Sequence, residues 1–215
     1  MTHSGSRILT THVGSLIRPA ELLERSLAAT EFPHEQARYE QTLRKAGDDV
    51  VHQQINAGID IVNDGEFGKS SWSNYALERL TGFERRPGSN YEPVWLGRDR
   101  IRFRQFMEDE FPRGAAGVPG HVCVAPITYR GHEAIRRSIA ALKDALAAVG
   151  VEEGFLTAVA PGSTGYDSSN EYYKDDHDYV FAIAEALREE YLEIINAGLI
   201  LQVDDAVLAN MYDEL

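Results

Sequence analysis

Cysteine is almost missing from this chain: Cys123 stands alone among 215 residues, so no internal disulfide is possible. Basic residues are also in short supply. Lys and Arg total 21 against 34 Asp and Glu, giving a formal charge of −13 that repels phosphate backbones and anionic lipid, and no Lys/Arg run reverses this locally. Nucleic acid and membrane are therefore not expected partners. No apolar run approaches the roughly 18–20 residues of a membrane span. The N-terminal MTHSGSRILT has no signal-peptide core, and a reducing cytoplasm is the expected location. No Gly-x-Gly-x-x-Gly follows the first apolar run, which counts against dinucleotide binding. What is present is ordinary for a globular domain: 43% hydrophobic and 26% charged residues, enough apolar material for a core.

The pattern along the chain alternates short apolar runs with long amphipathic ones. Ile8 to Val13 is β-branched and closes on Gly14-Ser15, and Arg18-Pro19 then opens a helix over Ala20 to Ala29. A second helix is expected from about His34 to Asn56, with Gly58 behind it, leading into a short strand, Asp60 to Glu66, that ends in carboxylates. Ser70 to Leu80 reads as helical. The stretch from about 86 to 120, rich in Gly, Pro and Arg and carrying Trp95, Phe103, Phe106 and Phe111, reads as an irregular insertion over one face, either a substrate cover or a plain surface flap. His121 to Thr128 is a third strand, followed by a helix with Ile135, Ile139, Leu142 and Leu146 on one face. Phe155 to Ala160 is a fourth strand, Pro161 to Lys174 a loop, and Val180 to Ile195 an amphipathic helix ending near Gly198. Leu199 to Asp205 is a fifth strand, again ending in acids.

Nearly continuous apolar strands between long helices are the mark of an α/β protein with a parallel sheet buried on both faces. A doubly wound sheet and a barrel both fit. Four strand ends carry polar groups: His12 with Ser15, Asp64 with Glu66, Thr128, and Asp204 with Asp205. In a barrel such ends converge on one mouth, where the active site of that fold lies. The expectation is thus a (β/α)8 TIM-barrel type fold in a single domain over 1–215, incomplete at about five β/α units. Five parallel strands cannot close a barrel of ordinary size and would leave open edges, so a longer parent chain, self-association or a partner chain is expected to complete it.

Thr11-His12-Val13-Gly14-Ser15, Asp64-Gly65-Glu66 and Gln202-Val203-Asp204-Asp205, in that order, resemble the C-terminal catalytic barrel of the cobalamin-independent methionine synthase family, most strongly in THVGSLIRP, GIDIVNDGE and AGLILQVDDAVLA. The resemblance spans nearly the whole chain. It implies a methyltransferase of methionine biosynthesis that moves a methyl group from a folate-type donor to the thiol of homocysteine. It further implies that Glu66 and Asp204 hold the substrate ammonium, that the Ser15 hydroxyl and backbone N–H meet its carboxylate, and that Val13 gives a neighbouring backbone contact. His12, Asp64 and Asp205 are second-tier candidates. Each has a plainer role as well. Ser15 can be an N-cap, Glu66 a first-turn carboxylate, one of the Asp204–Asp205 pair a cap for the next helix, and His12 a strand-end hydrogen-bond partner.

The resemblance also implies a catalytic zinc held by a His-x-Cys pair, a glutamate and a second cysteine, all later in the barrel than strand five. This chain has no His-x-Cys, so zinc is expected for the family with its ligands outside these residues, and Cys123 reads as a small buried hydrophobe. The sequence departs from the family pattern at strands three and four, where HVCVAP lacks the usual Arg-Cys pair and TAVAPG replaces a Thr-Gly-Pro turn. Two alternatives stand beside the homocysteine methyltransferase: a thiol-alkyl transferase of the coenzyme M type, and a non-catalytic half-barrel serving binding or assembly.

Overall fold

The computed structural model describes residues 7–86, 98–110 and 120–210. Its elements run α1 (Ala20–Glu31), a 3-10 turn (Pro33–Glu35), α2 (Gln36–Asn56), α3 (Asn74–Glu78), β1 (Phe83–Arg86), α4 (Arg98–Arg102), α5 (Arg104–Glu110), β2 (Gly120–Cys123), α6 (His132–Val149), β3 (Phe155–Val159), α7 (Pro161–Tyr166), β4 (Ser168–Asn170), α8 (Asp176–Asn196), β5 (Ile200–Asp204) and α9 (Ala206–Asn210). The protein is α/β, with one sheet ordered β1-β2-β4 and a second pairing β3 with β5. Among the described residues no helix is long and apolar enough to cross a membrane. The described residues of Met1–Trp72, His132–Thr157 and Tyr191–Gln202 make one compact unit, and those of Ser73–Gly131, Ala158–Glu190 and Val203–Leu215 make another.

In the first unit, helical periodicity turns directly into packing. Leu22 of α1, Ala46 and Val50 of α2 and Phe67 form a buried cluster against which Leu16, Tyr39 and Leu43 pack. On α6, Ile135, Ile139, Leu142, Ala145 and Leu146 recur every three or four residues and are all buried. Each such aliphatic side chain contributes roughly 1.5–3 kcal/mol of burial. Val62 makes an isolated parallel bridge to Gly154, and the amides of Phe155 and Ile200 donate to the carbonyls of Val62 and Gly154, both at 3.0 Å.

Two expected strands of this unit do not form ladders. Residues 8–13 run beside 58–65, and the Asp60 and Ile61 amides both donate to the Thr10 carbonyl at 3.1 Å, but side chains take other backbone groups that a ladder would use. The Asp60 carboxylate accepts from the Thr10 amide at 2.7 Å and from Arg7, the Thr10 hydroxyl donates to the Gly58 carbonyl at 3.1 Å, and the Thr11 hydroxyl donates to the Ile61 carbonyl at 2.8 Å. The β-branched residues that signalled a strand stay in solvent, with Ile8 88% and Val13 71% exposed.

The second unit departs further from a purely parallel pattern. β1 runs antiparallel to β2, with Phe83 opposite Cys123 and Arg86 opposite Gly120, while β4 lies parallel on the other edge of β2. The third strand therefore stops at Cys123, because the chain turns at Val124 and Ala125, whose amides donate to the Gly82 carbonyl. The segment 161–174, expected as a loop, holds α7 and β4. Residues 98–110 of the expected insertion are helical, whereas Trp95 and Phe111 lie outside the described residues.

A buried ion pair organises this unit. Glu190 is fully buried and accepts from Arg79 Nη1 at 2.9 Å, from the Tyr75 hydroxyl at 3.2 Å and from the Tyr129 hydroxyl. The Tyr75 oxygen in turn accepts the Val159 amide at 3.0 Å. Burial, followed by the Glu190 charge, pushes both phenols well above their ordinary range. Removing one partner of such a pair strands the other charge, so Glu190→Ala is expected to lower stability by about 3–5 kcal/mol in urea unfolding. A loss below about 1 kcal/mol would class it with exposed pairs.

Candidate functional site

Residues 63–69 form a tight turn whose backbone is held from both sides. The Asn63 side-chain oxygen accepts the Gly65 amide and that of Asp64 accepts the Glu66 amide, both at 2.9 Å, making two successive Asx turns. These hold Gly65 and Glu66 in the left-handed region, at φ 70 and φ 59. A glutamate there is uncommon and costs strain of about 1–3 kcal/mol, which the surrounding contacts must maintain. From the other side, Arg18 Nη2 donates to the carbonyls of Glu66 and Lys69, both at 2.9 Å. Arg18 thus grips the outer rim of the turn.

The conformation drives the Glu66 side chain inward, where its residue is 1% exposed. Oε2 accepts from the Ser15 hydroxyl at 2.6 Å, and Oε1 accepts from Lys69 Nζ at 3.0 Å and from the Thr157 hydroxyl. Lys69 Nζ also donates to the Thr157 carbonyl at 2.9 Å and to its hydroxyl. Burial pushes the Glu66 carboxyl up, but the Lys69 ammonium and the Ser15 and Thr157 hydroxyls together outweigh it and hold the group below its ordinary value of 4.5. Glu66 is therefore an ionised, buried carboxylate whose countercharge is supplied from within the chain.

The expected site residues fall into two sets. Ser15 and Glu66 meet directly, with Asp64 half-buried behind them and shaping the turn. His12 is held by a contact with Gln54. Gln54 Nε2 donates to the Val50 and Asn63 carbonyls, which fixes the amide so that Oε1 faces His12 Nε2 at 3.1 Å. That ring nitrogen must then carry the proton, leaving Nδ1 as a buried acceptor with no partner among the described residues, and Asn63 Nδ2 is likewise buried and unpartnered among them. Val13 is exposed at the entrance to the same segment. Asp204 and Asp205 belong to the second unit. Asp204 is half-buried at the end of β5 and its carbonyl accepts the Ala160 amide at 2.8 Å, while Asp205 is exposed and accepts from the Ser163 hydroxyl at 2.8 Å.

Lys69, Thr157 and Arg18 were not singled out from the sequence. Two signals were available: a lysine three residues after Glu66, and a lone hydroxyl in β3, whose five residues are otherwise apolar and all buried. A zinc centre that activates a thiol finds no fitting donors among the described residues. The Cys123 thiol is buried, donates toward the Ala125 carbonyl and is pushed up by that burial. Asp175, His177 and Asp178 lie close enough to share an ion, but they are exposed and offer no sulfur.

No protein-family model matches the chain. Curated relatives do, over nearly its full length. A methionine synthase of Sulfurisphaera tokodaii is 25% identical across 96% of this chain and 54% of its own, and one of Thermococcus kodakarensis is 24% identical over the same shares. The chain thus spans about half the length of the curated relatives it matches. Among solved structures, the putative vitamin-B12 independent methionine synthase of Listeria monocytogenes is similar with a TM-score of 0.66 at 20% identity, over 96% of this chain and 55% of that one. The B12-independent methionine synthase of Shewanella sp. W3-18-1, solved in complex with selenomethionine, gives a TM-score of 0.60 at 20% identity, over 83% and 46%. The resemblance carried by the three strand-end motifs is therefore borne out in the named relatives and in an α/β fold shared with these structures.

The lowered Glu66 carboxyl has a sign that can be tested. A group whose folded value is depressed contributes stability that is complete above its unfolded value and is lost as the pH falls through the folded one. The stability difference between the wild-type chain and Glu66→Gln, measured by urea unfolding, is expected to be full at about neutral pH and to shrink below pH 4.5. A difference that grows towards acid would contradict the assignment.

Proposed function

We propose that this chain supplies the amino-acid-binding part of a B12-independent methionine-synthase-type (β/α)8 barrel, of which it forms an incomplete set of β/α units. The parent reaction is methyl transfer from a folate-type donor to the thiol of homocysteine. The observation that carries this proposal is the Ser15–Glu66–Lys69–Thr157 cluster: a buried, ionised carboxylate at one of the motifs shared with the family, held in a strained turn and surrounded by hydrogen-bonding side chains. Strain and a buried charge cost stability that a purely structural turn does not require.

In this proposal Glu66 receives the α-ammonium of the amino acid, the Ser15 hydroxyl turns from Glu66 Oε2 to donate to the ligand carboxylate, and Val13 offers a backbone contact. Asp204 is proposed as a further binding carboxylate, with His12, Asp64 and Asp205 in supporting positions. Asn63 Nδ2 and His12 Nδ1, buried without partners among the described residues, are a donor and an acceptor whose burial costs about 1–3 kcal/mol each until something satisfies them. The resemblance implies zinc for the thiol chemistry. Since the described donors do not fit such a centre, the part assigned here is binding and orientation, with no step routed through a metal. A cytoplasmic setting accords with the lone, buried Cys123.

Isothermal titration of the 215-residue chain with homocysteine and, in parallel, with coenzyme M tests the proposal. Homocysteine is expected to bind and coenzyme M not to. Glu66→Gln is expected to weaken homocysteine roughly 10- to 100-fold, the loss of one charge-assisted contact. Binding of coenzyme M alone, or homocysteine binding indifferent to Glu66→Gln, would overturn it.

A further inference from the structure

The place beside Glu66 that a ligand ammonium would occupy already holds an ammonium. Lys69 Nζ sits 3.0 Å from Glu66 Oε1 and also donates to the carbonyl and hydroxyl of Thr157, so the three protons of the ammonium have partners. The second carboxylate oxygen is taken by Ser15. Exposure decides which way in remains: the Glu66 side chain is 2% exposed and that of Lys69 11%, so Lys69 is the more open side of the pair. A second cation cannot simply add to this cluster. With Lys69 in place, the pair is neutral, and an incoming ammonium would leave one positive charge without a counter-ion in a buried site.

Building on the amino-acid site proposed above, we propose that Lys69 is its specificity-determining residue: a resident cation that a zwitterionic amino acid displaces by exchange of ion pairs. The ligand ammonium takes the place of Lys69 Nζ at Glu66, and the freed Lys69 takes the ligand carboxylate. Charge is conserved throughout, with two pairs replacing one pair and a hydrated zwitterion. The exchange suits a lysine, whose four-carbon stem swings a compact charge through several ångströms. It also fits the local chain, since Lys69 closes the Glu66 turn through its own amide, which donates to the Glu66 carbonyl at 3.2 Å, and the side chain can move without opening that turn. A thiol with an amine but no carboxylate would strand Lys69, and a thiol with a carboxylate but no amine would strand Glu66. The site therefore selects molecules that carry both groups on one carbon.

The test uses homocysteine, 3-mercaptopropylamine and 4-mercaptobutyrate, titrated into the wild-type chain, Lys69→Gln and Lys69→Arg. The wild type is expected to bind homocysteine at least about tenfold more tightly than either partial ligand, the difference one stranded charge makes. In Lys69→Gln the internal competitor is gone, so 3-mercaptopropylamine is expected to bind about tenfold more tightly than to wild type while homocysteine weakens about tenfold. Lys69→Arg is expected to keep the wild-type order. If homocysteine binds and Lys69→Gln shifts all three ligands by one common factor, Lys69 is a structural residue and the exchange is overturned while the amino-acid site stands. If no thiol binds the wild type, the amino-acid site itself fails and the exchange with it. Should Lys69→Gln not fold, the 15N-resolved signal of the Lys69 ammonium in the wild type decides: it must move on saturation with homocysteine, and an unmoved signal overturns the proposal.

Discussion

A glutamate carboxylate sealed from water must find its countercharge and its hydrogen bonds inside the protein, and this requirement shapes the first unit. Glu66 draws to itself Lys69 from its own turn and Ser15 and Thr157 from two distant stretches of the chain. Ionisation of a buried acid is favourable only when such partners exceed the burial penalty, and here they do. The left-handed backbone at Glu66, the pair of Asx turns beneath it and the Arg18 clamp on its carbonyls all serve to keep that carboxylate aimed inward. The apolar packing of Phe67 with Leu22, Ala46 and Val50 anchors the same turn by its next side chain.

The second unit meets the same problem with different chemistry. Among the described residues, Glu190 is the other fully buried carboxylate, and its partners are an arginine and two tyrosine hydroxyls on rigid rings. Guanidinium and phenol hold fixed geometries, which suits a permanent structural centre. Around Glu66 the partners are a long flexible amine and two small hydroxyls, groups that can change partners at low cost in packing. That contrast, more than burial itself, separates a candidate binding carboxylate from a structural one. The resemblance offers Glu66 as an acceptor for a substrate ammonium, whereas the structure pairs it with Lys69.

Similarity to methionine synthases covers nearly all of this chain but about half of each relative. Among the described residues, the cluster around Glu66 is the basis of the proposed binding role, and no donor set suited to a thiol-activating zinc is present.

By itself the sequence determined the α/β class and the approximate extents of the long helices and of β3 and β5, and it singled out Ser15 and Glu66, because helical periodicity, apolar runs and the polar clusters that follow them are local signals. It pointed also to Asp204 and Asp205, whose distinct surroundings only coordinates could separate. The tertiary structure decided what no local pattern encodes. Residues 8–13 carry strand-like side chains yet form no ladder, because Asp60 and Thr10 claim the backbone groups first. β2 is shortened and turned against β1 by a pairing with a distant partner. Thr157 entered the site only through space, 91 residues along the chain from Glu66, since a buried charge is neutralised by whatever the fold brings within about 3 Å.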